Sequence, residues 1–215
     1  MVVGLACLVP LGLAAGADDQ QRKKPTAPPA KGAAAKPTAV KTVRDVTCPV
    51  DLGLGAKSKR QFCDVVIGTD AASGISMRVP PHAGASTLMF DLHNRFAVTG
   101  GALTFARASA LVAVLNGNSG AVIERAAVLG ELRTEVDLFD RIASAGTGGS
   151  KTVAPGRPAA VKIVIPAAVT SISIVGVRVE LTSKDGRAEY ATMGRPIAIA
   201  SNMRIDYTPA TVSRQ

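Results

Sequence analysis

Residues 171–193 read SISIVGVRVELTSKDGRAEYATM, and the parity of their apolar positions decides the fold. Ile172 and Ile174 fall on one parity, whereas Val177, Val179 and Leu181 fall on the other. Alternation with period two sends side chains to opposite faces of a strand, so both runs read as β-strand with one face buried. Gly176 stands where the parity switches, as expected of a β-bulge, in which one extra residue re-aims the chain. Asp185-Gly186 then marks a hairpin leading into Ala188–Met193.

The same texture extends in both directions. Downstream, Ile197, Ile199, Met203, Ile205 and Tyr207 keep one parity, with Arg204 and Asp206 outward. Upstream, Val161, Ile163 and Ile165 share a face until Pro166 stops the strand. Ser109–Leu115 is apolar almost throughout, as a strand buried on both faces would be; Asn116-Gly117 signals a hairpin returning through Val122–Val128. Cys63, Val65 and Ile67 alternate with Asp64 and Val66, and Ile75, Met77 and Val79 alternate with Ser76 and Arg78 before Pro80-Pro81. Leu88, Phe90, Leu92 and Phe96 lie opposite Asp91, His93 and Arg95. About eight to ten short strands at this spacing predict an all-β domain over residues 45–210, a β-sandwich of immunoglobulin-like or jelly-roll kind, with 211–215 as a tail.

Glu131–Ala143 (ELRTEVDLFDRIA) departs from period two. Leu132, Val136, Phe139 and Ala143 recur at helical spacing, which favours one short helix over about 131–143, with an irregularly paired strand as the alternative. Ser144–Pro158, rich in Gly and Ser, reads as a long exposed loop.

Ahead of the domain the composition changes twice. Residues 1–17, MVVGLACLVPLGLAAGA, carry no charge and end in small residues, as a secretory signal does, with Ala15 and Ala17 as the cleavage pair. The Lys or Arg that usually precedes such an apolar core is missing. A spanning helix would need ~20 apolar residues without Pro10 and the glycines. A lipid-attachment cysteine would want a large aliphatic residue where Cys7 has Gly4. Residues 18–44 hold seven basic groups against Asp18 and Asp19, a balance of +5, among Pro, Ala, Thr and Gln. They contain almost nothing to bury and read as an extended, disordered linker, either a spacer or a tail suited to an anionic surface.

The rest of the chain has 18 basic and 14 acidic residues, only +4 of the total +9. Hydrophobic residues make up 47% of the sequence, ample for a core, yet aromatics are 3% and Trp is absent. Once the leader is removed, Cys48 and Cys63 are the remaining cysteines of an exported chain, and the simplest reading is a disulfide. Closing a loop of roughly 16 residues is worth roughly 3 kcal/mol on the loop-entropy model. The C-x14-C spacing fits neither a redox pair nor a metal site.

Two runs, STLMFDLHNRF (Ser86–Phe96) and GRPIAIASNMRIDY (Gly194–Tyr207), resemble an uncharacterised group of exported bacterial β-rich proteins. The resemblance covers parts of the domain, implies an exported β protein, and brings no activity with it.

Catalytic motifs are missing. Gly146–Thr152 (GTGGSKT) has Ala145 and Ser150 where a phosphate loop needs glycines. No G-x-S-x-G nucleophile turn and no H-E-x-x-H appear, and His82 and His93 are the only histidines. Sugar-binding sandwiches usually offer flat aromatic faces, but here Tyr190 and Tyr207 sit on late strands, and no D-x-D-x-D cluster suggests calcium. No aromatics interleave with the basic residues to stack on bases, so no specific nucleic-acid binding is indicated. The constellation that stands out is Asp91, His93 and Arg95, about 7 Å from one to the next on one strand face, with His82 a possible neighbour. Such a face binds an anion or a partner's charges, or is simply a solvated strand face with ion pairs worth under ~1 kcal/mol each. The sequence thus predicts a non-catalytic, cofactor-free exported module with a binding or structural role in the periplasm or outside the cell. Its partner would be a protein or an envelope polymer. A carbohydrate-binding module without aromatic stacking is the alternative, and a hydrolase comes third.

Overall fold

The computed structural model describes residues 39–99, 105–143 and 151–210. The expected leader (1–17), the expected linker as far as residue 38, and the expected tail (211–215) lie outside the described residues. In chain order the strands are β1 (Lys41–Val43), β2 (Val46–Thr47), β3 (Asp51–Leu54), β4 (Gln61–Val66) and β5 (Ile75–Arg78). Three long ones follow, β6 (Ser86–Thr99), β7 (Ala106–Asn116) and β8 (Val122–Leu132), then the short β9 (Ile142–Ala143) and β10 (Lys151–Pro155). The last are β11 (Ala159–Ile165), β12 (Ser171–Ser183), β13 (Gly186–Tyr190) and β14 (Pro196–Tyr207).

Two antiparallel sheets pack face to face as an all-β sandwich. One runs β3-β4-β14-β6-β10-β9, with β1 also on β14 and β11 also on β6. The other runs β2-β5-β12-β7-β8, with β13 also on β12. The 14 residues of β6 explain why two strands share its flank. Its first half, Ser86–Leu92, pairs with β11, and its second half, Arg95–Thr99, pairs with β10. The inner faces meet in a core of aliphatic side chains that includes Val65, Leu88, Leu92, Val112, Val114, Ile172, Ile174 and Ile205.

Most of the expected parities hold, because burial of one face fixes strand register: a one-residue slip would expose the whole set. Cys63, Val65 and Ile67 all enter the core, as do Ile75, Met77 and Val79. The shift in β12 lies between Gly176 and Arg178, at the expected bulge. Gly176 is required there: an added Cβ would stand 2.9 Å from Ile197 and 3.0 Å from the backbone nitrogen of Ile67. In β14 the single expected parity fails, because bulges lie at Pro196/Ala198 and at Ser201/Arg204. They turn Ile199 away from the main core while Ile197 and Met203 stay in it. The Asn116-Gly117 signal does open a hairpin, although its loop is longer than two residues and closes with Asn116 N–H donating to the Ala121 carbonyl at 2.8 Å. The β12–β13 hairpin turns through Lys184-Asp185 into Gly186, at φ +124°.

Three boundaries need correction. Lys41–Val43 is not linker: it pairs with Ile205–Tyr207, and the Thr42 hydroxyl donates to Asp206 at 2.6 Å. The β-branched pair Thr42-Val43 favours the extended, paired backbone seen here. Residues 131–143 are not a helix. Glu131 and Leu132 finish β8, Glu135–Asp137 makes one 3-10 turn, and Ile142–Ala143 is β9. The helical spacing there is coincidental: Leu132 is 2% exposed between the sheets, whereas Val136 is 74% exposed. The Asp137 carboxylate also accepts the N–H groups of Arg133 and Thr134, the local competition that breaks helices. Finally, the expected long loop at Ser144–Pro158 gives five residues to β10, where Val153 and Ala154 are buried; residues 144–150 lie outside the described residues.

Cys48 and Cys63 form the expected disulfide, with Cα atoms 5.6 Å apart. It ties the segment between β2 and β3 to the buried middle of β4. Among the described residues no helix is long and apolar enough to cross a membrane.

Candidate functional site

Asp91, His93 and Arg95 do share one face of β6, and that face points away from the main core. It is nevertheless covered. Phe62, Ile142, Val153 and Ile199 form a second buried cluster there, with Leu52 and Phe139 packed against it. Each of the three polar side chains has a partner at this layer. Asp91 accepts from Arg60 at 2.8 Å. Arg95 Nε donates to the Asp64 carboxylate at 2.8 Å, and Asp64 is itself buried. His93 is fully buried, between Gly156 and Ser201. The face is thus neither an open binding surface nor a freely solvated strand: His93 is fully buried, while Asp91 and Arg95 keep 17% and 24% of their side chains exposed within ion pairs.

The hydrogen bonds fix the state of His93. A carbonyl only accepts, so Nδ1 carries the proton and donates to the Gly156 carbonyl at 2.8 Å. Nε2, 2.9 Å from Ser201 Oγ, then accepts from that hydroxyl. Burial holds the imidazole below its ordinary pKa; the Gly156 carbonyl and Asp91 pull the other way, and Arg60 reinforces the burial. The ring packs edge-on against Phe62 at 5.6 Å and tilted against Phe139 at 5.3 Å between centroids. Arg60 completes the cover, its guanidinium 5.1 Å from the Phe139 ring centre.

Asp140, beside Phe139, locks this cover down. Its carboxylate accepts the backbone N–H groups of Lys57 and Ser58 at 2.9 and 2.7 Å, and that of Arg141 at 2.7 Å. Burial pushes its pKa up, but these donors and the Ser58 hydroxyl outweigh it and hold the group down at about 2. Asp64 goes the other way: burial raises its pKa more than the Arg95 guanidinium lowers it.

Ser201, His93 and a carbonyl have the connectivity of a nucleophile, a base and an orienting acceptor. Catalysis also needs a substrate atom within reach of Oγ. Ser201 and His93 are both 0% exposed, so this hydrogen-bonded pair joins β14 to β6 and has no access to a substrate. No group of three His, Cys, Asp or Glu among the described residues is placed to hold a metal ion.

His82 stands apart from the other three. It follows the double proline that ends β5, bridges to Pro209, and lines a cleft of about 640 Å³ at one end of the sandwich. Three connections converge there, those between β5 and β6, β7 and β8, and β11 and β12. Arg78, Asn118, Thr170 and Ser171 supply its polar lining. Pro80 and Pro81 form much of its rigid wall. Asn118 Nδ2 donates to Thr170 Oγ1 at 2.7 Å, and the Ser171 hydroxyl donates to Asn118 Oδ1 at 3.0 Å, so the polar rim is cross-braced before any ligand arrives. His82 Nδ1 donates to the Pro80 carbonyl at 2.8 Å, leaving Nε2 with its lone pair, buried and without a partner among the described residues.

Sequence reasoning picked His82 but missed the residues beside it, because Asn118 and Ser171 belong to hairpin and strand-start patterns that signal turns. The partners of the buried layer, Arg60, Asp64, Ser201 and Phe139, were equally silent, since they come from three separate segments.

No protein-family model matches the chain, and no curated protein or solved structure shows detectable similarity to it.

Proposed function

We propose that the protein is a non-catalytic exported module that binds a component of the cell envelope, in the periplasm or outside the cell. The observation that carries this reading is the cleft at the loop end. Loops that connect strands of a rigid sandwich are where such folds place binding residues, because the sheets hold them in fixed relative positions. Here the cleft volume of about 640 Å³ falls within the ~300–1,000 Å³ range of small-ligand sites. The disulfide is compatible with an oxidising compartment outside the cytoplasm.

The rim chemistry favours a ligand rich in hydroxyl groups. Asn118, Thr170, Ser171 and Arg78 offer donors and acceptors. A carbohydrate bound by hydrogen bonds rather than aromatic stacking fits this lining, which has no aromatic ring other than the imidazole. A glycan array tests that form of the proposal, with an Asn118→Ala, Ser171→Ala double variant as control. Binding that the double variant loses supports a carbohydrate ligand. Silence on the array, together with co-fractionation of the protein with envelope proteins, supports a protein-holding structural role instead. Turnover of any arrayed glycan contradicts the non-catalytic reading.

A further inference from the structure

The opposite end of the sandwich holds a second cleft, independent of the one at the loop end, where the sheets part between the end of β6 and the end of β12. Its volume is about 310 Å³. Phe96, Leu132, Val179, Leu181 and Ile197 wall it, contributed by both sheets. Its charged lining residues are Arg95 and Arg195, with no carboxylate among them. A third guanidinium, that of Arg133, lies over Phe105 at the lip, 5.6 Å from the ring centre.

Arg195 is the informative residue. Its guanidinium carbon lies 3.6 Å from the centre of the Tyr190 ring, a stacked contact that orients the plane without using its N–H groups. Among the described residues it has neither an ion pair nor a side-chain hydrogen bond, whereas Arg95 is held by Asp64 and Arg133 by Glu131. A planar guanidinium fixed by an aromatic face, with its donor edge free at the mouth of an apolar crevice, is preorganised for a carboxylate. Apolar walls behind a cationic mouth complement a molecule with a hydrocarbon tail and an anionic head. The volume lies at the low end of small-ligand sites, which suits one chain rather than the two of a phospholipid.

We infer that this cleft binds a single-chain amphipathic carboxylate, its tail between the sheets and its head on Arg195. Decanoate is the probe, followed by chemical-shift mapping and titration calorimetry on the folded protein. Sodium acetate, decan-1-ol and phosphatidylglycerol vesicles are the comparison ligands. The expected result is saturable decanoate binding with shifts centred on Leu132, Val179 and Leu181, and little response to acetate or decanol. Arg195→Gln should weaken it about tenfold or more, and Arg195→Lys, which keeps the charge but loses the stack, by less. Val179→Phe should block the tail site; the exposed Arg195→Gln change tests the proposal even if that core variant fails to fold. Decanol binding as tightly as decanoate overturns the inference, as does decanoate binding unchanged in Arg195→Gln. Shifts confined elsewhere, no binding at millimolar probe, or binding to vesicles alone overturn it too.

Discussion

Ser201 Oγ lies 2.9 Å from His93 Nε2, and both residues are fully buried, the imidazole packed against the rings of Phe62 and Phe139. This pair joins the two longest strands of its sheet through side chains, where the bulge at Ser201/Arg204 interrupts the backbone ladder. Its role is to satisfy polar groups and hold a neutral imidazole in place.

Removing the imidazole should therefore cost stability. His93→Ala leaves the Gly156 carbonyl and the Ser201 hydroxyl without their partner and opens a cavity, for an expected loss of about 2–4 kcal/mol by denaturant unfolding. The wild type should also weaken in acid. The folded pKa of His93 lies below 6.5, so below that pH the unfolded chain takes up a proton that the folded one refuses. Stability then falls as pH drops through the folded pKa, by up to about 1.4 kcal/mol per unit. His93→Gln should remove that slope, and an unchanged slope would contradict the assignment.

Asp140 acts in a lower window. Its carboxyl is held at about 2 against an ordinary 3.8, so the stability it contributes is fully present above pH 4 and fades as pH falls towards 2. Asp140→Asn should cost about 2 kcal/mol at pH 7, and the difference from wild type should shrink to near zero around pH 2. A constant difference across that range would show that its amide bonds do not depend on charge.

The Arg95–Asp64 pair should show the asymmetry of buried ion pairs. Arg95→Leu strands the Asp64 carboxylate and should cost about 3 kcal/mol at neutral pH, whereas adding Asp64→Asn should recover much of it. Because the stranded carboxyl has a raised pKa, the single variant should lose stability as pH rises through that pKa and regain it below. Equal stability of the single and double variants at pH 7 would refute this.

Cys48→Ser or Cys63→Ser should lower stability by roughly 3 kcal/mol, the entropy of the loop the bond closes. Mass spectrometry of alkylated, non-reduced native protein should find neither thiol free.

Legibility followed locality. The parity of Leu88, Phe90 and Leu92, the bulge at Gly176 and the Cys48–Cys63 pair were readable because each depends on neighbouring residues or on a simple count. The sandwich followed from them. What failed depended on distant partners. Asp91, His93 and Arg95 looked solvated because alternation says which face a side chain takes, and nothing local reveals that Phe62 and Phe139 cover that face. Ile199 changed sides because of two bulges in a run without glycine. Residues 131–143 imitated a helix because a strand end, a 3-10 turn and a short strand happened to space their apolar side chains by three and four.

The proposed binding role rests on the loop-end cleft, and chemical-shift mapping of the isotope-labelled protein with glycans selected on the array addresses it most directly. Saturable shifts are expected at His82, Asn118, Thr170 and Ser171, abolished by the Asn118→Ala, Ser171→Ala double change while the unfolding midpoint stays nearly constant. Shifts that bypass these four residues, or chemical conversion of the glycan during the titration, would contradict that role.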